Sequence, residues 1–288
     1  MTASIRLRRS LILGSFLCFV AGFSILASAD EDADRERTRA KLLSQMREIA
    51  GQSVVTFVND SAGGQPRLVD QPVFRYDDQP RRFIDATVWV WTHEGRPVAL
   101  EKIEARENIN TGVAQWGYCF TSLASQRIKV VWDERRSYQT REPGLRFQPV
   151  PGAPAVAEKG LVRRRQLREL ARNFTARILT NPDTMNSQEM RLLATPLLEY
   201  DDADAKTPKG AVFAFSTNGT NPDFVLVLES RPTAGGPAWH YAAARLTTGG
   251  LTVKHLDQTV WEVPFISHYN PLPTWAFFDA PREPVDPK

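Results

Sequence analysis

The chain has 288 residues, of which 42% are hydrophobic and 24% are charged, a composition typical of a folded protein and not of a disordered one. It carries 36 Lys and Arg against 33 Asp and Glu, but three of the arginines lie in the first 29 residues, which hold no acidic residue. A chain that begins at Asp30 has 36 − 3 = 33 basic and 33 acidic residues, so its net charge gives no reason to expect a nucleic acid partner.

The first 29 residues have the pattern of an export signal. Three arginines supply a positive start, an apolar run follows over residues 11–27, and Ala27-Ser28-Ala29 fits the small-x-small cleavage rule. We therefore predict a periplasmic or extracellular protein whose mature chain begins at Asp30. An uncleaved anchor is the alternative, and the Sec and twin-arginine routes both stay open.

The remaining chain contains two similar segments. Each motif of the first segment returns about 123 residues later, and such self-similarity indicates an internal repeat. The matching motifs are Gln45-Met46-Arg47-Glu48-Ile49-Ala50 and Gln166-Leu167-Arg168-Glu169-Leu170-Ala171, Tyr76-Asp77-Asp78 and Tyr200-Asp201-Asp202, Val88-Trp89-Val90-Trp91 and Val212-Phe213-Ala214-Phe215, Glu104-Ala105-Arg106 and Glu229-Ser230-Arg231, and Trp116-Gly117-Tyr118 and Trp239-His240-Tyr241. We predict two like-folded halves produced by a duplication.

The first segment reads as a helix followed by antiparallel strands. Leu42, Met46 and Ile49 fall on one helix face, and Gly51 weakens or ends the helix. Residues 54–58 fit either a further helical turn or a short strand. The predicted strands, rich in β-branched and aromatic residues, are 83–92, 98–105, 116–124 and 127–132.

The second segment repeats this order after a linker. Residues 148–160 contain three prolines and two glycines, which exclude regular helix or central strand. We predict a helix over residues 161–180 and strands at 211–216, 224–230, 239–247, 251–256 and 259–263. The Pro- and aromatic-rich arm 264–288 is expected to wrap back as extended backbone outside any sheet.

These elements predict the α+β class. Each of two tandem repeats would pack an N-terminal helix on a curved antiparallel meander of four to five strands, in a cone-like or cystatin-like plan. The predicted domain organisation is a signal peptide at 1–29, a first repeat at 30–147, a linker at 148–160, a second repeat at 161–263 and an arm at 264–288.

Two stretches carry a resemblance to a known family. Residues 85–91 (DATVWVW) with 95–100 (GRPVAL), and residues 210–215 (GAVFAF) with Asn221-Pro222, resemble an uncharacterised family of exported bacterial proteins with no assigned function. The resemblance implies an envelope or extracellular setting. It implies no catalytic residue.

One pair of an acidic and a basic residue occurs in each segment. Glu104 and Arg106 are two residues apart on a predicted strand and share a face, as do Glu229 and Arg231. A solvated ion pair at a strand end is one interpretation. The other is a hydrolase in which Glu104 or Glu229 is the general base and the neighbouring arginine binds an anionic substrate.

Aromatic residues offer a second candidate site. Trp89 and Trp91 share one strand face, and an exposed pair would stack on sugar rings as in a carbohydrate-binding module. Their counterparts Phe213 and Phe215 keep the aromatic character without the identity, which favours core packing.

The second helix is strongly basic. A solvated helix face is the ordinary interpretation of such a charge run, and a docking surface for an acidic partner is the alternative. The arginines of this predicted basic patch are Arg163, Arg164, Arg165, Arg168 and Arg172.

Metal and cofactor motifs are not found in the sequence. The four histidines show no paired ligand spacing, no phosphate-binding glycine loop occurs, and Cys119 aligns with Ala242 as a small buried residue. We predict no metal and no cofactor. The leading hypothesis is an exported, non-enzymatic binding or scaffold protein of the cell envelope with a protein or other envelope component as partner. Membrane contact would occur only through an uncleaved leader, and the oligomeric state stays open.

Overall fold

A computed structural model describes residues 14–59, 64–108, 111–201, 208–217, 219–267 and 271–282, with side chains from residue 33 onward. The chain divides into two compact units. One comprises residues 1–42 and 285–288, and its described part is helical. The other comprises residues 43–284 and holds every described strand. The predicted signal peptide falls partly on residues 1–13, outside the described residues, and residues 14–29 belong to the first helix.

The elements before the second helix are α1 (Gly14–Gln52), β1 (Val54–Phe57), β2 (Arg67–Leu68), β3 (Phe74–Asp78), a 3-10 turn (Gln79–Arg81), β4 (Phe83–His93), β5 (Arg96–Glu107), β6 (Ala114–Ser122), β7 (Ile128–Val131), β8 (Ser137–Gln139) and β9 (Gln148–Pro149). The later elements are α2 (Gly160–Arg172), β10 (Phe174–Asn181), β11 (Asn186–Leu192), β12 (Leu198–Tyr200), β13 (Gly210–Ser216), β14 (Phe224–Thr233), β15 (Gly236–Arg245), β16 (Gly250–His255), β17 (Gln258–Val263) and β18 (Trp275–Pro281).

The predicted α+β class is wrong. The structure is mostly β, with two helices among the described residues and large curled sheets. The strands pair in a six-stranded sheet ordered β18-β6-β5-β4-β2 with β3 beside β4, a nine-stranded sheet ordered β17-β16-β10-β11-β13-β14-β15-β9 with β12 beside β13, and a three-stranded sheet ordered β1-β7-β8. Short strands in stretches that we expected to be loops account for much of the difference, because strands of two to five residues, such as β2, β3 and β12, leave little local signal.

The second helix is shorter than predicted. It ends at Arg172, and β10 follows from Phe174. Phe174 and Ile178 are four residues apart, which suits a helix face, but Ala176 between them is also buried, and this alternation is that of a strand. β10 pairs on both sides, with β11, which follows it after a short turn, and with β16, which lies much later in the chain.

The same pairing pattern occurs in both halves. β4, β5 and β6 form an antiparallel meander with β2 and β3 beside β4, and β13, β14 and β15 form one with β11 and β12 beside β13. Single hydrogen bonds also match: Val73 N to Val88 O (2.8 Å) with Leu197 N to Val212 O (2.8 Å), and Val69 N to Val90 O (3.0 Å) with Leu193 N to Ala214 O (2.9 Å). This correspondence supports the hypothesis of a duplication.

The two meanders pack directly against each other. One hydrophobic core takes alternate residues from both sheets, among them Val88, Val90, Leu100, Val212, Ala214 and Val227. The intervening residues of β13 point to the other face, where Phe213 and Phe215 pack with Leu167 and Leu170 of α2. In the first half, Met46 of α1 is buried, and its sulfur accepts a hydrogen bond from the Thr87 hydroxyl at 3.2 Å.

The C-terminal arm returns to the sheet. We expected extended backbone outside any sheet, and for residues 275–281 this expectation is wrong, because β18 pairs antiparallel with β6 over seven residues. Trp275 is buried in the core between the meanders. The backbone of β18 therefore extends the protein's own sheet, and its Trp275 side chain fills the protein's own core.

Candidate functional site

Glu104 and Glu229 occupy matching places in the two halves. Tyr76, Ala86 and Glu104 are directly opposite one another on β3, β4 and β5. Tyr200, Gly210 and Glu229 repeat this row on β12, β13 and β14. The sequence repeat therefore places a Tyr–small–Glu row across three strands in each half.

The small middle residue lets the tyrosine reach the glutamate. The Tyr76 hydroxyl donates to Glu104 Oε1 at 2.7 Å, and the Tyr200 hydroxyl donates to Glu229 Oε2 at 2.9 Å. A Cβ atom on Gly210 would lie 2.6 Å from the Tyr200 hydroxyl, closer than real Cβ atoms approach other groups. A larger side chain in the middle strand would therefore block the contact.

Glu229 is fully buried and has partners at both oxygens. Arg231 donates to Oε1 at 2.7 Å, and Arg96 donates to Oε2 at 2.8 Å beside the Tyr200 hydroxyl. Both guanidinium groups also lie over the ring of Phe147, at 4.4 Å and 5.4 Å from its centroid. The two cations thus balance the charge of the carboxylate, and the phenol adds a hydrogen bond. A buried charge requires such partners.

Glu104 is held by a different cation. The residue is 2% exposed, and Lys102 Nζ is 3.1 Å from its Oε1 atom. Burial alone would lower the pKa of Lys102, but the Glu104 carboxylate raises it above its ordinary value. Lys102 also donates to Asn221 Oδ1 at 3.0 Å and to Pro222 O at 3.1 Å, so it links the two halves.

Further ion pairs extend this link between the halves. Arg81 Nη1 is 3.0 Å from Asp223 Oδ1, and Arg81 Nε is 2.7 Å from Asp78 Oδ2. Asn221 Nδ2 donates to Asp78 Oδ2 at 3.4 Å. Asp78, Asn221 and Asp223 are all buried, so these groups form a satisfied polar network between the sheets.

The arrangement does not suit either glutamate for general-base catalysis. A base must reach a proton on a substrate, and both carboxylates lie inside the packed interface. Burial raises the pKa of Tyr76 and of Tyr200 well above 10, and the neighbouring carboxylates add to this effect, so both phenols stay protonated as donors.

The two predicted substrate-binding arginines differ in their contacts. Arg231 pairs with Glu229, as the strand spacing predicted. Arg106 instead pairs with Asp279 of β18 and lies over the Phe277 ring at 5.2 Å from its centroid. Arg106 therefore anchors the C-terminal strand, a partner that strand spacing alone could not indicate.

Trp89 and Trp91 are core residues. They are 1% and 2% exposed, so the ligand-binding role considered for them is not available. Trp89 Nε1 donates to the Thr87 hydroxyl at 2.9 Å, and Trp91 packs edge-on to Phe120 with ring centroids 6.5 Å apart. A buried indole needs such a hydrogen-bond partner.

The predicted basic patch is largely neutralised. Arg163 is buried and pairs with Asp201, while Arg164 and Arg168 both contact Glu199, at 3.2 Å and 3.1 Å. Arg165 pairs with Glu169 one turn further along α2, at 2.8 Å, and Arg172 is exposed. The repeated Asp202 of the Tyr-Asp-Asp motif lies outside the described residues.

A buried carboxyl that we did not single out is Glu101. It is directly opposite Trp89 and Phe120 on the neighbouring strands and accepts a hydrogen bond from Trp132 Nε1. Its Oε2 atom has no hydrogen-bond partner among the described residues, and burial raises the pKa of Glu101 to about 8. The available signal was an acidic residue on the same strand face as the apolar Ala99 and Ile103.

Cys119 is a buried free thiol, as predicted. Its sulfur accepts a hydrogen bond from Trp275 Nε1 at 3.2 Å and donates to Leu246 O at 3.4 Å. Burial raises the pKa of Cys119 to about 12, which keeps the thiol protonated and unreactive.

Comparisons with known proteins returned no match. A scan against protein-family models, a search of curated proteins and a search of solved structures each found nothing similar to the chain. The resemblance to an exported bacterial family therefore has no support from them.

In the part of the chain that the structure describes, no helix is long and apolar enough to cross a bilayer, and no group of three or more His, Cys, Asp or Glu side chains is placed to hold a metal ion.

Proposed function

We propose that the chain is an exported protein of the cell envelope that acts by binding a partner and not by catalysis. The observation that carries this proposal is the role of the two duplicated glutamates. Glu104 and Glu229 are buried and bound by a tyrosine and by one or two cations each. They join strands and halves, so the best candidates for a general base have a structural task.

The test replaces each glutamate by glutamine. Glu104→Gln and Glu229→Gln remove a charge but keep the size and one acceptor oxygen, so the buried cations lose their counterion. We expect both variants to unfold at clearly lower temperature than the unaltered protein. The proposal would be refuted if the protein hydrolyses a substrate and one variant loses about 100-fold of that activity while it unfolds at the same temperature as the unaltered protein. That result would favour a hydrolase.

Export is tested separately. Expression of the full chain in a bacterial host with an envelope, followed by fractionation and N-terminal sequencing, should give a periplasmic or secreted protein that begins at Asp30. A cytoplasmic protein with an intact N-terminus would contradict the export part of the proposal and leave the binding part untouched. An envelope-bound protein with an intact N-terminus would indicate an uncleaved anchor.

A further inference from the structure

The outer edges of β6 and β15 are equivalent in the two halves but are covered to different extents. β18 pairs with β6 over seven residues, from Thr121 opposite Trp275 to Gln115 opposite Pro281. β9 pairs with β15 at two residues only, His240 and Tyr241. Residues 242–245 of β15 have no strand partner on that side among the described residues.

Backbone groups at this uncovered edge point outward. Val150 N donates to Trp239 O at 2.9 Å, and because alternate residues of a strand direct their N–H and C=O groups to the same side, Ala243 and Arg245 face the same way. At the matching place on β6, Ser122 N donates to Thr274 O at 3.0 Å. Within the described residues, no hydrogen bond occupies the outward groups of Ala243 and Arg245.

A groove of about 320 Å³ lies along this edge, within the size range of ligand pockets. Residues 242–244 are alanines, so the β15 wall carries little side-chain bulk. The other walls are formed by residues 142–144, by Val260 and Trp261 on β17, and by residues 272–274. We call this cleft the β15 groove.

We propose that the β15 groove binds an extended peptide segment of a partner protein, which adds to the edge of β15 as β18 adds to β6. The inference rests on the proposed binding function and names its ligand class. An extended peptide presents N–H and C=O groups on one side at a repeat of about 7 Å, the repeat of the free groups of Ala243 and Arg245.

The fold also indicates the length and chemistry of the segment. Four uncovered residues span about 13 Å, enough for three or four peptide residues. The new strand would continue the pairing that β9 begins at His240 and Tyr241. Its side chain facing β17 would contact Val260 and Trp261 and should therefore be apolar.

Amide hydrogen exchange by NMR on the unaltered protein is the first test. In the free protein, the amides of Ala243 and Arg245 should exchange at least tenfold faster than those of Ala242 and Ala244, which face β14. The probes are a peptide with the sequence of residues 274–281, which fills the equivalent edge, and heptapeptides selected from a random display library. Binding should slow exchange at Ala243 and Arg245 alone. Slow exchange there in the free protein would overturn the proposal.

A substitution tests the same site by affinity. Ala243→Pro removes the outward N–H, and proline is tolerated at edge positions whose N–H is outside the ladder. Ala243→Pro should raise the Kd of the peptide about fivefold or more, which corresponds to the loss of one hydrogen bond. The matched control Ala243→Ser should bind the peptide with the Kd of the unaltered protein. If no probe distinguishes these variants, the groove is not the site. That failure would leave the glutamate results, and hence the proposed function, standing.

Discussion

Removal of a single hydroxyl tests the buried Tyr–Glu rows. In Tyr200→Phe the ring stays in the core, but Glu229 Oε2 loses a donor that now lies 2.9 Å away. Glu229 is fully buried, so water cannot readily replace that donor. A hydrogen bond to a charged group contributes about 1.5–3 kcal/mol, and we expect the free energy of unfolding to fall by that amount.

The measurement is reversible unfolding at pH 7, followed by circular dichroism with heat and with urea. For a domain of this size, a loss of about 1.5–3 kcal/mol lowers the melting temperature by roughly 3–12 °C. Tyr76→Phe should behave alike, because its hydroxyl reaches Glu104 at 2.7 Å. Tyr241→Phe is the control, since its partner, Gln148 Oε1 at 2.8 Å, is neutral, and it should cost about 1 kcal/mol.

A double-mutant cycle separates the contact from general damage. Tyr200→Phe and Glu229→Gln should couple by at least about 1 kcal/mol, because each removes one side of the same interaction. Additive effects of the two substitutions, or a Tyr200→Phe protein within about 0.5 kcal/mol of the unaltered one, would refute the view that the tyrosine supports the buried carboxylate.

Three further predictions follow from other buried groups. Burial raises the pKa of Glu101 from 4.5 to about 8, so the contribution of Glu101 to stability is complete below pH 4.5 and is lost as the pH rises through 8. In Glu101→Gln, the free energy of unfolding should therefore depend less on pH between pH 5 and 8. At pH 9 this variant should have a higher melting temperature than the unaltered protein. Gly210→Ala would place a Cβ atom 2.4 Å from Leu228 O and should cost about 1–3 kcal/mol by urea titration, whereas Gly51→Ala, with nothing within 4 Å, should stabilise α1 slightly. The Cys119 thiol should react with a thiol reagent only after unfolding, and rapid reaction of the native protein would contradict its burial.

Several local features were predictable from residue patterns. The strand containing Trp89 and the strand containing Glu104 were recognised from β-branched and aromatic runs, and both form long central strands. The exchange of Trp89 for Phe213 favoured a buried role for the aromatic residues, and both are in hydrophobic cores. Such signals are strong because they depend on residues close together in the chain.

The fold class failed for a physical reason. β2, β3 and β12 have two, five and three residues, and each pairs with one longer strand, β4 or β13, so local propensity carries little information about them. The end of α2 was missed because Phe174 and Ile178 satisfy both the helical and the strand period. β18 was missed because its partner β6 is more than 150 residues earlier in the chain.

By itself, the amino-acid sequence determined the repeat of motifs, the aromatic strands and the leader-like charge pattern, since each is written in neighbouring residues. Only the tertiary structure decided what the repeated glutamates do, because burial and partners such as Arg96 and Tyr200 come from strands apart in the chain. It also decided that, among the described residues, one of two equivalent sheet edges is paired over seven residues and the other over two, a difference set by where the C-terminal strand packs.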